Sequence, residues 1–172
     1  MRRLADGLLR SGIIIVFAVL LVCVSWQVIS RYALGTPSTL TDELARFLFM
    51  WLALVGGAYT YGQGRHLAID LLPTSLSGRR RQVNEMLITL LIAGFAAVVM
   101  VWGGLQLVQR TLASGQISPS LQVPMGWVYG AVPLSGLIII AYAVANIGRI
   151  ARGGTTLNPP QDLPAPQEDR LS

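Results

Sequence analysis

The sequence predicts an all-α integral membrane protein of four transmembrane helices with both termini in the cytoplasm. Three observations carry that expectation. Hydrophobic residues make up 53% of the 172-residue chain against 12% charged, too apolar for an ordinary water-soluble domain. The apolar residues gather into four runs, and the arginines gather on one side of them. All 13 basic residues are arginine, and they flank apolar runs instead of alternating with aromatics. That pattern assigns the net charge of +5 to membrane orientation and argues against a nucleic-acid partner.

The first run, Gly12 to about Ser30, follows Arg2, Arg3 and Arg10. It is longer than the roughly 7 to 15 residues of a signal h-region, and Ser25-Trp26-Gln27-Val28 offers no small-residue cleavage site, so it reads as a retained anchor. The others are Leu44 to Tyr61, Met86 to Val108 and Gly126 to Ile147. At about 1.5 Å per residue, each can cross a hydrocarbon core of about 30 Å with some tilt or interfacial flanks. An unpaired backbone amide is costly in lipid, so each span is expected to be helical. The expected organisation is a cytoplasmic N-terminus (1–11), a four-helix membrane domain (12–150, helices about 12–33, 41–62, 84–109 and 126–149) and a disordered, proline-rich cytoplasmic tail (151–172).

Leu34-Gly35-Thr36-Pro37-Ser38 makes a tight turn between helices 1 and 2, and Gly62-Gln63-Gly64 ends helix 2 with an expected left-handed cap. Between helices 2 and 3, leucines alternate with Arg79, Arg80 and Arg81, a pattern that suits a short interfacial helix over about 71–84. Arg2, Arg3, Arg10, Arg65, Arg79 to Arg81, Arg149, Arg152 and Arg170 fall on one side, against Arg31, Arg46 and Arg110 on the other. By the positive-inside rule the first set is cytoplasmic.

Charges concentrate at the mouth of the first hairpin. Arg31 ends helix 1, and Asp42, Glu43 and Arg46 occupy the start of helix 2, with Thr39 as the expected N-cap. Asp42 and Arg46 are i,i+4 neighbours, and Glu43 and Arg46 are i,i+3 neighbours. Arg46 runs straight into Phe47-Leu48-Phe49-Met50-Trp51, where an unpaired arginine would cost about 2.5 to 3.5 kcal/mol at mid-helix depth. These four residues are therefore expected to form a network that fixes the hairpin and helps dock a partner. Trp51 lies too deep for an interfacial belt, and Ala53-xxx-Gly57 is one of several small-residue spacings suited to close helix packing.

The spans lack ionisable residues at their midpoints, around Leu20, Leu52, Ala96 and Ser135. A self-sufficient transporter usually has an intramembrane charge or broken helices converging there. One cysteine, Cys23, and one histidine, His66, leave no thiolate cage, disulfide or paired-histidine haem ligation within the chain, and no catalytic set accompanies them. The residues alone leave open a freestanding four-helix exporter or channel acting as a homo-oligomer, and a membrane enzyme is a weaker third reading.

Arg31-Tyr32, Thr41-Asp42-Glu43-Leu44-Ala45-Arg46, Trp51, Gly56-Gly57, Gly64-Arg65-His66-Leu67-Ala68-Ile69-Asp70 and Ser118-Pro119…Pro124…Tyr129…Pro133 together resemble the small transmembrane, DctQ-like component of tripartite ATP-independent periplasmic (TRAP) transporters. The family often has Trp and a Glu pair at the start of helix 2, where this chain has Leu40 and Asp42-Glu43. The resemblance implies a scaffold subunit of the bacterial inner membrane. It would pack on a large permease subunit that carries the substrate and sodium sites, while a periplasmic binding protein delivers an organic acid. It also implies that this chain binds no cofactor of its own, and that the outer loops Tyr32 to Thr41 and Arg110 to Met125 could meet the binding protein. Arg31, Asp42, Glu43, Arg46, Trp51 and Gly57, with His66 and Asp70 on the cytoplasmic side, are then structural or subunit-contact residues.

Overall fold

A computed structural model describes residues 2–63 and 79–151. Helix α1 (Arg2–Tyr32) reaches well ahead of the apolar run that begins at Gly12, because the leucines, arginines and alanine of that stretch propagate a helix as readily as the apolar run does. It turns at Gly35, whose φ of +67° belongs to the left-handed region that favours glycine. The buried Ser30 hydroxyl donates to the Thr36 carbonyl and closes the turn.

Helix α2 (Thr39–Gly62) begins one residue earlier than the expected cap allows: the extended residue before it is Ser38, and neither Ser38 nor Thr39 caps through its side chain. Thr41 instead returns its hydroxyl to the Ser38 carbonyl at 3.2 Å. At the other end Gln63 is the C-cap with φ −80° and ψ 1°, and Gly64, the last residue of the expected left-handed cap, lies outside the described residues. Gly62 serves packing. A Cβ on it would sit 2.4 Å from the Tyr142 ring.

The third span is one continuous rod of three parts: α3 (Arg79–Phe95), a π-helical segment (Ala96–Gly103) and α4 (Gly104–Ala113). Arg79, Arg80 and Arg81 belong to α3, while 71–78 of the expected interfacial helix lie outside the described residues, as does the tail from 152. The fourth span is interrupted. A short α5 (Met125–Tyr129) gives way at Gly130 to α6 (Ala131–Ala151), with Pro133 in the first turn, where its missing N–H has no intrahelical partner to lose.

All four spans are long and apolar enough to cross a membrane: Asp6–Tyr32, Thr39–Gly62, Gln82–Ala113 and Met125–Ile150. The chain is a multi-pass membrane protein. The principal contacts run from α1 to α2, from α2 to α6, and from α6 to the third span, so α1 lies at an edge. One small core joins Leu20 and Cys23 of α1 to Ala45 of α2. Between α6 and the third span the helices approach through missing side chains: a Cβ on Gly136 would be 2.7 Å from Met100 Cβ, and one on Gly104 would be 3.0 Å from Pro133. Close backbone approach of this kind drives association where lipid removes the hydrophobic incentive. Such packing places the turn at 33–38 and the loop at 114–124 together at one end, opposite the start of α1 and the end of α6.

Candidate functional site

The most elaborate polar construction among the described residues is at that loop end, and it is built around Glu43. One turn into α2, its Oε2 accepts the backbone N–H of Ser120 at 2.8 Å and of Leu121 at 3.0 Å. Two successive amides aimed at one carboxylate oxygen form an anion nest. The loop is preshaped to offer them. Ser118 is fully buried, its N–H donates to the Val123 carbonyl at 2.9 Å, and Gln122 takes a φ of 55°. The Gln122 amide side chain donates to the Pro119 carbonyl at 3.0 Å, and Met125 N–H donates to the Gln116 carbonyl at 2.9 Å. Pro119 and Pro124 bracket the segment and have no amide to leave unpaired.

The four charged residues of the first hairpin therefore do different things. Arg46 donates through Nη2 to Asp42 Oδ2 at 2.8 Å, within α2. Glu43 points away from that pair toward the distant loop. Arg31 is exposed and makes no ion pair with either acid, so the hairpin mouth is held by Ser30 and by the Glu43 nest, with Arg31 outside both. Trp51 is half-buried and lines a groove of about 330 Å³ with Leu9, Gly12, Val55 and Leu134. Gly57 faces outward, and a Cβ there would meet nothing within 4 Å. His66 and Asp70 lie outside the described residues.

A second polar group forms where the termini lie, and the sequence reading missed it. Tyr142 of α6 donates to the Asp6 carboxylate of α1. Thr89 of α3 is buried and donates to the Glu85 carbonyl at 2.7 Å, and Glu85 itself is only 4% exposed. Tyr61 of α2 is within hydrogen-bonding reach of Thr89, and Asn146 is 2% exposed on the buried face of α6. Each of the four spans contributes one or two such residues.

No three His, Cys, Asp or Glu side chains converge as metal ligands do among the described residues. The arrangement is suited to holding helices and a loop in register, which is the chemistry of a membrane subunit that presents surfaces. Its family is the DctQ component of the tripartite ATP-independent periplasmic transporters: residues 20–153 match it, and the chain belongs to it. The chain is 28% identical over 142 residues to the sialic acid TRAP transporter small permease protein of Vibrio cholerae, covering 81% of this chain and 79% of that one. It is 30% identical over 131 residues to the ectoine TRAP transporter small permease protein of Halomonas elongata, covering 74% and 67%. It also matches the isethionate TRAP transporter permease protein DctMQ of Oleidesulfovibrio alaskensis, 28% identical over 101 residues, which is 58% of this chain and 16% of that much longer one. The chain is thus a transporter subunit, a TRAP small permease protein, and not an enzyme.

Proposed function

We infer that this chain is a scaffold beside a large permease subunit in the bacterial inner membrane. On this reading the large subunit carries the substrate and sodium sites, and the transporter takes up an organic acid handed over by a periplasmic binding protein. The termini face the cytoplasm, and the Glu43-anchored loop faces the periplasm. The observation that carries the supporting role is the make-up of the helix middles, where Leu20, Leu52, Ala96 and Ser135 offer no ionisable group to bind or translocate a solute. The arginine asymmetry supports the orientation. The relative named DctMQ, of which this chain covers only 16%, supports a large permease partner.

The test is reconstitution. A tagged chain extracted in mild detergent should bring down a larger multi-spanning protein, and sodium-dependent uptake into proteoliposomes should need both chains and the soluble binding protein. Uptake by this chain alone would overturn the reading.

A further inference from the structure

The lipid-facing surfaces of this molecule are not alike. The exposed side of α1 is Ile14, Phe17, Val22 and Val28, and that of the third span is Leu91, Phe95, Val98 and Trp102. Such residues suit hydrocarbon. The outward face of α2 is different: Asp42, Arg46, Phe49, Ala53, Gly57 and Thr60 recur at spacings of three and four and form one stripe along the helix. Apart from the half-exposed Asp42 they are all exposed.

Two features of that stripe are anomalous against lipid. Helix α2 has 24 residues and is about 36 Å long, little more than the hydrocarbon core of about 30 Å. Arg46, seven residues past Thr39, lies about 10 Å along it and runs straight into Phe47-Leu48-Phe49-Met50-Trp51. Its side chain is nonetheless 77% exposed, and its one hydrogen bond, to Asp42, leaves the other guanidinium donors facing outward. Charged side chains at such depth normally face protein or a water-filled cavity. Two turns further on, Ala53 and Gly57 leave a shallow channel, and a Cβ on Gly57 would touch nothing within 4 Å. That is the relief into which a second helix backbone can approach.

We propose that this face of α2 is the seat of a transmembrane helix of the large permease subunit, one that offers an acceptor oxygen to Arg46 and lies against Ala53 and Gly57. The assignment rests on the reading of the chain as partner to such a subunit. Charge decides among the occupants. Lipid tails offer Arg46 no acceptor, and a soluble binding protein cannot reach this depth. A second copy docking symmetrically through the same face would bring Arg46 against Arg46.

The experiment uses the complex of this chain with its large subunit. A photo-crosslinking benzoylphenylalanine placed at Phe49 or Ala53 should yield an adduct of both subunits, and one placed at Phe17 or Val98 should not. Gly57→Leu and Arg46→Leu should each lower recovery of the large subunit about tenfold, while Gly94→Leu, equally open on the third span, should leave it unchanged. Circular dichroism of the variants in detergent should match wild type, because the new side chain at 57 meets nothing in its own subunit. Adducts of homodimer mass, adducts with lipid alone, or crosslinks to the large subunit only from positions 17 and 98 would each overturn the proposal and leave the subunit's function standing. A wild-type chain that brings down no large subunit would overturn both.

Discussion

The two ends of the molecule are held by opposite means. At the loop end a single carboxylate, Glu43, reaches across to backbone amides of Ser120 and Leu121, and the rest of the loop bonds to itself. At the termini end side chains meet one another across helices, Tyr142 with Asp6 and Tyr61 beside Thr89, around a glycine with no room for a side chain. The first end can be unfastened locally, by one residue. The second is a packed junction in which any change of volume is felt by several helices.

Five measurements would sharpen or break that contrast. The largest effect should come from Gly62→Leu, because the Tyr142 ring occupies the space and is itself held by Asp6; a loss of about 3 kcal/mol by thermal unfolding in detergent is expected. A near-neutral outcome would show that the junction is loose. Next, Glu43→Ala should leave the helices intact but expose the Ser120 and Leu121 amides, raising their hydrogen exchange about tenfold while Glu43→Gln, which keeps a carbonyl acceptor, changes it less. Exchange that spreads into α2 would mean the clamp is global after all. Tyr142→Phe keeps the ring on Gly62 and removes the hydroxyl that donates to Asp6, so about 1 kcal/mol should be lost in the same unfolding assay. The smallest effect belongs to the exposed pair: in the isolated subunit Arg46→Ala should fall within about 0.5 kcal/mol of wild type. Reversing Arg31 together with Glu43 should not restore the Glu43→Arg single variant, since the two side chains do not pair; recovery of loop protection in the double variant would reinstate the network expected from sequence.

The spans were legible because hydropathy acts on runs of twenty residues, and the four apolar stretches leave little choice in lipid. Their limits were less so. Hydropathy set helix 1 at Gly12, whereas α1 starts at Arg2, and it set helix 3 at 84–109, whereas the rod runs from Arg79 to Ala113. Helices outlast the membrane, and composition marks only the membrane. The charges of the first hairpin were legible as a group, and the Asp42–Arg46 pair as a neighbour relation. The partner of Glu43 was not, because it lies 77 residues away and is a backbone amide, which leaves no trace in side-chain pattern. The termini-end cluster was hidden for a related reason: one or two polar residues per span are unremarkable until the fold stacks them.

The π-helical stretch Ala96–Gly103 has a consequence for how this chain can change over time. A helix closed by i→i+5 bonds takes up more residues per turn than its neighbours, so α3 and α4 sit on two helical lattices that are out of phase. Removing one residue between 96 and 103 would let the rod relax toward a regular α-helix, at the expense of the fit of Gly104 on Pro133. The segment thus sets the register between the faces on either side, so that its length and the seat of Gly104 on Pro133 can change only together.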